Sequence, residues 1–422
     1  MYIQRDIETN IDKWMSEKEI IVILGARRVG KTTLCKHILE QSKDAQSFYI
    51  DFEDIAFRAV ANKGVHDLIN YLKINGIAPE RRTILVLDEI QKLHDPSNLL
   101  KMVHDHYPEI KLVVTGSSSL DIGKKFSDSL AGRKITFHLQ PFNFGEFLAA
   151  KEKSRIFGNL PRFIDALESD TLPDKPYSTG VFGEFSPLFE EYLVFGGYPG
   201  IVFSVDIEKK SKRLSEIVTG HIEKDIKDIS RISGIEGFNK ILLALAANVN
   251  NEISKTNLAR IASSSIHTVE HYISLLKGIF IIDEIFPFSR NKESEITKQS
   301  KIYFADNGIR NAILNNLKPL GRDDIGKLTE MFALNHLSGT GLKVNFWRTK
   351  GGAEVDFVLT GEHGIVPVEV KSSDIRTGDI SRALRSFIEK YSPAKAFILN
   401  RSNLGSFRSD KCEIVYFPLF LL

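Results

Sequence analysis

A glycine-rich segment near the start of the chain has the residue types that hold phosphate. Residues 25–32 read Gly-Ala-Arg-Arg-Val-Gly-Lys-Thr, a full match to G-x-x-x-x-G-K-[ST]. The glycines let backbone N–H groups approach phosphate oxygens, and the N-terminus of a following helix favours an anion. Lys31 can then reach the outer phosphates of ATP, and the Thr32 hydroxyl can ligate Mg²⁺. We predict nucleotide contacts from Gly25, Ala26, Arg27, Arg28, Val29, Gly30, Lys31, Thr32 and Thr33.

A pair of carboxylates follows a second apolar run. Residues 84–87 are Ile-Leu-Val-Leu, and Asp88 and Glu89 come directly after them. Ligands of open α/β sheets bind beyond the carboxyl ends of the strands, where Asp88 would lie. Asp88 is expected to hold the Mg²⁺ shell, and Glu89 to orient and deprotonate the attacking water. Together with Lys31, these residues predict Mg²⁺-dependent ATP hydrolysis.

The elements around these motifs predict an α/β domain with a parallel sheet over residues 1–150. Residues 20–24 (IIVIL) form a run typical of a strand buried on both faces, and helical spacing follows the glycine loop. Residues 47–51 and 111–115 supply two further strands. The second of them ends in a serine run whose Ser117 is either a sensor of the γ-phosphate or an ordinary turn serine.

Composition limits the classes of protein. A length of 422 residues suggests two or three domains, and 42% hydrophobic with 26% charged residues is an ordinary globular balance. A formal net charge of +2 gives no whole-molecule case for a nucleic-acid partner. The two cysteines are too few for a disulfide framework or a cysteine zinc site. The charged start and the lack of a long apolar stretch predict a cytoplasmic chain with no membrane contact.

The N-terminal motifs resemble those of a prokaryotic branch of the AAA-type ATPases. The resemblance rests on GARRVGKTTL, ILVLDEIQ, LVVTGSSS, LAGR at 130–133 and LQPFNFGEF at 139–147. It implies that Arg133 acts as an arginine finger or sensor on the charge of the transition state. A surface salt bridge is the alternative role for Arg133. Such a domain is compatible with an oligomer, which the sequence does not specify.

The middle of the chain is expected to be helical. Residues 151–185 are interpreted as a linker or lid, and residues 186–298 as a helical and winged-helix domain that opens with the Gly-Gly-Tyr-Pro turn at 196–199. Two short helices within 254–276 and an apolar hairpin at 278–288 have the order of a winged helix. His267, Thr268 and His271 would lie on its exposed face. DNA is one partner of such a face, but Glu270 and the scarcity of basic residues suit a plain packing module as well.

Carboxylates also recur in residues 299–422, which we interpret as a third, α/β domain. If Thr360 pairs with Ile365 across a tight turn, Asp356 lies opposite Glu369 and shares a face with Lys371. Facing carboxylates repel, so a lysine or a divalent metal must lie between them. We assign Glu354 to the opposite face.

The order of these residues resembles the PD-(D/E)XK restriction-nuclease-like superfamily. The matching positions would be Glu330 on a helix, then Asp356, Glu369 and Lys371 on the hairpin, although Val355 stands where the signature has proline. The resemblance implies a restriction-nuclease-like fold with a second divalent metal, Mg²⁺ or Mn²⁺, on Asp356 and Glu369. A scaffold that no longer cuts is the alternative. The full chain resembles a widespread prokaryotic family that ends in a domain of unknown function.

Two hypotheses follow from these motifs. In the first, ATP turnover drives nucleic-acid binding or cleavage by the C-terminal domain. In the second, the protein is a non-cleaving, nucleotide-dependent switch, or a defence or stress sensor, that binds DNA or a protein partner.

Overall fold

The structure is a computed structural model of the chain that describes residues 2–118, 130–153, 162–168, 179–222, 235–289, 299–318, 322–362, 364–409 and 412–422. The described chain forms two compact units. One contains the residues up to 142 together with 274–281, and the other contains the rest of the described chain from residue 143 onwards. No helix among the described residues combines the length and apolar character needed to cross a membrane.

The first unit contains a five-stranded, fully parallel sheet with the strand order β2-β3-β4-β1-β5. Its strands are β1 Ile20–Leu24, β2 Gln46–Asp51, β3 Thr83–Asp88, β4 Ile110–Gly116 and β5 Lys134–His138. Its helices are α1 Glu8–Asp12, α2 Lys31–Gln41, α3 Ile55–Ala61, α4 Val65–Ile74 and α5 Pro96–His106, with a 3₁₀ turn at Ile90–Lys92.

Burial explains why the apolar runs became the central strands. Every residue of β1 and β3 is buried, as expected for parallel strands that are covered on both faces. The four strands predicted from the sequence are therefore confirmed. Strand β5 was not predicted, because its mixed sequence KITFH has no continuous apolar run.

The remaining helices of the chain are α6 Phe144–Ala150, α7 Phe163–Glu168, α8 Thr179–Phe195, α9 Pro199–Val202, α10 Ile207–Ile217, α11 Ile235–Ala247, α12 Lys255–Ile261, α13 Ile266–Gly278, α14 Asn307–Ile313, α15 Ile325–Ser338 and α16 Arg382–Tyr391. A π turn at Val218–Ile222 follows α10, and a 3₁₀ turn lies at Leu419–Leu421.

A short two-stranded sheet follows helices α12 and α13, which we call the helix-turn-helix segment. Its strands β6 (Ile282–Ile285) and β7 (Lys301–Phe304) are antiparallel, and an isolated bridge joins Glu252 to Lys301. Helices α12 and α13 coincide with the two short helices expected over 254–276. The hairpin expected at 278–288 was wrong, because β6 lies there and pairs with β7 farther along the chain.

Two of the expected domain boundaries need to move. The boundary at 298/299 separates β6 from β7, which the structure pairs. The boundary at 185/186 falls inside α8. Neither boundary could be placed from the local sequence, because strand pairing and helix continuity depend on residues farther along the chain.

A six-stranded mixed sheet dominates the C-terminal part, with the order β12-β13-β11-β10-β9-β8. The strands are β8 Lys343–Arg348, β9 Glu354–Gly361, β10 Gly364–Val370, β11 Lys395–Asn400, β12 Gly405–Ser409 and β13 Cys412–Pro418. Strands β9 and β10 form the predicted hairpin, and Ile365 pairs with Thr360 as expected. The sheet therefore places Asp356 and Glu369 at neighbouring positions.

Candidate functional site

The glycine loop lies between the end of β1 and the start of α2. A Cβ at residue 25 would come within 2.2 Å of the Leu139 carbonyl oxygen, so this close approach of two backbones requires Gly25. Gly30 has φ +104° and caps the N-terminus of α2, where the left-handed backbone favours glycine. The loop therefore aims the first turn of α2 at the space beyond the sheet, as a phosphate site requires.

Lys31 is buried within this loop. Its ammonium donates to the carbonyl oxygens of Gly25 and Ala26, both at 3.0 Å, and lies 4.0 Å from Glu89 Oε1. Burial lowers the pKa of Lys31, although Glu89 and Asp88 oppose that shift. A cation with only neutral carbonyls and one distant carboxylate as partners can transfer readily to a phosphate.

Three hydroxyl groups converge on the Asp88 carboxylate. Thr32 Oγ1 donates to Asp88 Oδ2 at 2.6 Å, and Tyr49 OH donates to the same oxygen at 2.5 Å. Thr115 Oγ1 donates to Asp88 Oδ1. Burial and the bond to Asp88 raise the pKa of Tyr49, so its phenol stays protonated and donates. The carboxylate is thus fixed from strands β2 and β4 as well as from α2.

Glu89 has a strained backbone and a defined side-chain position. Its φ is +54°, a left-handed value that a non-glycine residue seldom adopts. Its N–H donates to Thr115 Oγ1 at 3.1 Å. Ser117 Oγ donates to Glu89 Oε2 at 3.0 Å, and Gln91 Nε2 donates to the same carboxylate. Glu89 is therefore held through Oε2, while its Oε1 lies 4.0 Å from the Lys31 ammonium.

The residues present fit a magnesium ion. The Thr32 hydroxyl and the Asp88 carboxylate are oxygen ligands 2.6 Å apart, which is the ligand type that Mg²⁺ prefers. Thr32 and Asp88 are the residues that would hold it.

The arginines predicted for this site differ in position. Arg28 is exposed and has φ +66°, and Arg27 is partly buried in the same loop. Arg133 immediately precedes β5, and its carbonyl accepts the N–H of Ile20 at the start of β1. Because β5 is parallel to β1, Arg133 lies at the amino ends of the strands, whereas the glycine loop lies at their carboxyl ends. Its guanidinium instead donates to both oxygens of Asp105, at 3.0 and 3.2 Å.

This arrangement matches the surface salt bridge that was the alternative role for Arg133. The two bonds from Arg133 hold the pKa of the Asp105 carboxyl well below its usual range. The structure does not bring Arg133 to the nucleotide site of its own chain. Any finger role would have to be played at the site of another copy.

Sequence reasoning missed several residues of the site. Tyr49, Thr115 and Gln91 contact Asp88 or Glu89, but none of them was assigned a role from the sequence, although Thr115 and Gln91 lie within the quoted motifs. The strand alignment could have found Tyr49, because β2 pairs with β3 so that Asp51 lies beside Asp88. Tyr49, two residues before Asp51, shares that face.

The helix-turn-helix segment presents a mixed surface. His267, Glu270 and His271 are exposed on α13, as predicted, and Glu270 forms an ion pair of 2.9 Å with Lys255 of α12. Thr268 was predicted on the exposed face but is only partly exposed. Its N–H and hydroxyl engage Ser265 Oγ at 3.1 and 2.9 Å, as expected at a helix start.

The carboxylates of the β9–β10 hairpin already have partners. Lys371 Nζ lies 2.6 Å from Glu369 Oε1, and Ser381 Oγ donates to Glu369 Oε2 at 2.8 Å. Asp356 Oδ2 accepts the N–H of Val370 at 2.7 Å. Lysine therefore supplies the cation that the facing carboxylates need, which is one of the two alternatives stated from the sequence.

Glu330 of α15 joins the same cluster through a residue that the sequence did not indicate. Lys301 of β7 lies 3.8 Å from Glu330 Oε1 and pairs with Glu354 Oε1. Tyr303 OH donates to Glu330 Oε1 at 2.6 Å. The assignment of Glu354 to the opposite face was wrong. Glu354 lies two residues before Asp356 on β9, and side chains two residues apart on a strand point to the same face.

Burial dominates the electrostatics of this cluster. It raises the pKa of Asp356 to about 8, and Glu330 adds to that shift. It also raises the pKa of Glu330, while Lys301 opposes the shift. Within the described ranges, no three His, Cys, Asp or Glu residues are grouped in a way that could hold a metal ion.

Three family models match successive parts of the chain. Residues 17–148 match the AAA domain, residues 186–320 match a domain of unknown function (DUF8612), and residues 325–420 match a second one (DUF4143). The chain thus contains an AAA-type P-loop ATPase domain of α/β fold, as predicted.

Whole-chain relatives have no assigned activity. MJ1544, an uncharacterized protein of Methanocaldococcus jannaschii, is 28% identical over 86% of this chain and 76% of its own length. Rv2008c, an uncharacterized protein of Mycobacterium tuberculosis, is 22% identical over 91% of this chain and 76% of its own length.

Solved structures of nucleotide-binding proteins are more distant. The ADP form of the Aeropyrum pernix ORC2 protein is 12% identical, with a TM-score of 0.37, over 75% of this chain and 95% of that one. With a score this low, the likeness carries no conclusion about function.

Proposed function

We propose that this protein is a Mg²⁺-dependent ATPase whose reaction takes place at the glycine loop. The observation that carries the proposal is the convergence of Lys31, Thr32, Asp88 and Glu89 at one edge of the parallel sheet, with Thr32 Oγ1 2.6 Å from Asp88 Oδ2. A cation, a hydroxyl, a metal-binding carboxylate and a second carboxylate are the parts that phosphoryl transfer to water requires.

Each residue has a distinct task. Lys31 leaves the Gly25 and Ala26 carbonyls and binds the β- and γ-phosphates. Thr32 and Asp88 hold Mg²⁺, which when bound draws negative charge from the phosphate oxygens. Glu89 accepts a proton from the attacking water, and Ser117 and Gln91 fix its carboxylate. Ser117, which contacts Glu89, is also our candidate for the group that senses the γ-phosphate.

The test separates binding from hydrolysis. Lys31→Ala should lose most nucleotide affinity, whereas Glu89→Gln should keep it and lose hydrolysis by about 10²- to 10⁴-fold, the contribution of a general base. Binding of a fluorescent ATP analogue and phosphate release measure the two effects. Glu40→Gln, an exposed change on α2, is the matched control. Wild-type turnover by Glu89→Gln would contradict the assignment of the base.

A second candidate function is ATP-gated binding of DNA by the helix-turn-helix segment. The order α11, α12, α13, β6 and β7 favours it, because it is that of a winged helix with α13 as the recognition helix. Polarisation of labelled duplex DNA with and without ATP tests this function, and His267→Ala with His271→Ala should weaken binding. The same assay also tests the nuclease hypothesis, in which Glu330, Asp356 and Glu369 are the carboxylates of the active site. Mg²⁺-dependent cleavage of the labelled DNA that Lys371→Ala abolishes would favour it.

A further inference from the structure

Lys301 is a buried cation at the centre of the C-terminal carboxylates. Its side chain is 1% exposed, and its ammonium lies 5.1 Å from the centre of the Phe346 ring. An ammonium in such surroundings is costly to bury unless carboxylates neutralise it. The buried position of Lys301 therefore requires carboxylates close to its ammonium.

Two carboxylates meet at this ammonium from different elements. Glu354, at the start of β9, contacts it directly, and Glu330 of α15 lies 3.8 Å away. Further donors fix both partners: Tyr303 OH donates to Glu330, and Arg348 Nε lies 3.6 Å from Glu354 Oε2. The ammonium therefore faces two carboxylates that are themselves held by other side chains.

The same carboxylates are those that a nuclease-like fold would direct at a metal. Glu330 matches the helix glutamate of that resemblance, and its negative charge acts on Asp356. An ammonium and a divalent ion beside one carboxylate repel each other, and both need its oxygens as partners. The residues present thus fit a lysine and do not fit a metal while Lys301 remains in place.

We propose that Lys301 is the resident cation of this cluster and keeps divalent metal ions away from Glu330, Glu354 and Asp356. Lys301 lies on β7, in the part of the chain that matches DUF8612, whereas the carboxylates lie in the part that matches DUF4143. The C-terminal domain therefore receives its cation from the preceding domain. With Lys301 in place it is a non-cleaving module despite its Glu-x-Lys motif.

Mn²⁺ binding to the nucleotide-free full chain tests this proposal. Electron paramagnetic resonance of free Mn²⁺ counts the ions that the protein takes up. Wild type should show no site that depends on Glu330, whereas Lys301→Met should gain one Mn²⁺ per chain, and Lys301→Met with Glu330→Gln should lose it. Lys210→Met is the matched control, because Lys210 is also a buried lysine in an ion pair, with Glu191.

Two results would overturn the proposal. One is a Mn²⁺ site in wild type that Glu330→Gln removes. The other is a Lys301→Met protein with native circular dichroism that gains no site. If Lys301→Met does not fold, Lys301→Gln keeps a polar group in place without the charge and is assessed in the same way. The wild-type measurement needs no Lys301 variant.

Discussion

The Asp306 carboxylate occupies the space where a side chain at residue 196 would lie. A Cβ on Gly196 would come within 2.1 Å of Asp306 Oδ1, and Gly196 has φ +73°. Asp306 is fully buried at the start of α14 and accepts the N–H groups of Gly197 at 2.7 Å and Ile309 at 3.0 Å. This contact gives the Gly-Gly-Tyr-Pro turn a structural role.

Gly196→Ala should therefore destabilise the protein by at least about 2 kcal/mol, because it adds backbone strain to a clash with a buried carboxylate. Urea unfolding followed by circular dichroism measures the change. Gly200→Ala is the control, since a Cβ at residue 200 meets nothing within 4 Å. Equal midpoints for the two variants would refute the role assigned to this contact.

The same carboxylate should make stability depend on pH. Burial raises the pKa of Asp306 from 3.8 to about 6, although backbone N–H groups oppose the shift. The folded protein thus binds this proton more tightly than the unfolded chain. The resulting stabilisation is complete below pH 3.8 and is lost as pH rises through 6, a loss of up to about 3 kcal/mol.

Asp306→Asn should remove this component, because the amide does not ionise. The free energy of unfolding of wild type should fall relative to that of Asp306→Asn as pH rises from 4 to about 6, and the difference should level off toward pH 8. Asp206→Asn is the control, because Asp206 is an exposed helix N-cap. A wild-type minus Asp306→Asn difference that does not vary with pH would contradict the prediction.

Tyr49 should set the Mg²⁺ requirement of ATP hydrolysis. Tyr49→Phe removes one of the two hydroxyls that donate to Asp88 Oδ2. Because a hydrogen bond to a charged group contributes roughly 1.5–3 kcal/mol, we expect the Mg²⁺ concentration for half-maximal rate to rise about tenfold or more. The rate at saturating Mg²⁺ should change little. Tyr71→Phe, on α4, is the control, and an unchanged Mg²⁺ titration would rule out this role.

Arg133→Ala should leave ATP hydrolysis by dilute protein unchanged. Arg133 pairs with Asp105 at the sheet edge opposite the glycine loop, so its loss does not reach the nucleotide of the same chain. The hydrolysis rate per chain, measured over a range of protein concentrations, checks this. A defect that grows with protein concentration would instead assign Arg133 to the site of a neighbouring copy.

Local patterns in the sequence predicted the parts of the fold that depend on neighbouring residues. The strand before Asp88 followed from a continuous apolar run, and the Thr360–Ile365 pairing followed from a tight turn that fixes strand register. Both features are set within a few residues. Both features can therefore be predicted without knowledge of the tertiary contacts.

Contacts between distant segments could not be obtained in this way. Lys301 reaches Glu354 across 53 residues, and Tyr49 reaches Asp88 across 39. Glu354 was misplaced for another reason, because alternation along β9 already puts it on the same face as Asp356, two residues away. The finger role of Arg133 was implied by the family resemblance. The direction of β5 shows that Arg133 lies at the amino ends of the strands, away from the glycine loop.

The strand order of the first unit also constrains how the chain can be made. Strand β1 lies between β4 and β5, and β5 ends at His138. The ribosome must therefore release well over a hundred residues before the uncharged segment 20–24 finds both neighbours. Until then this apolar strand is exposed and prone to aggregation, because nonlocal parallel pairing forms late. Nascent chains of this protein should depend on chaperones during that interval.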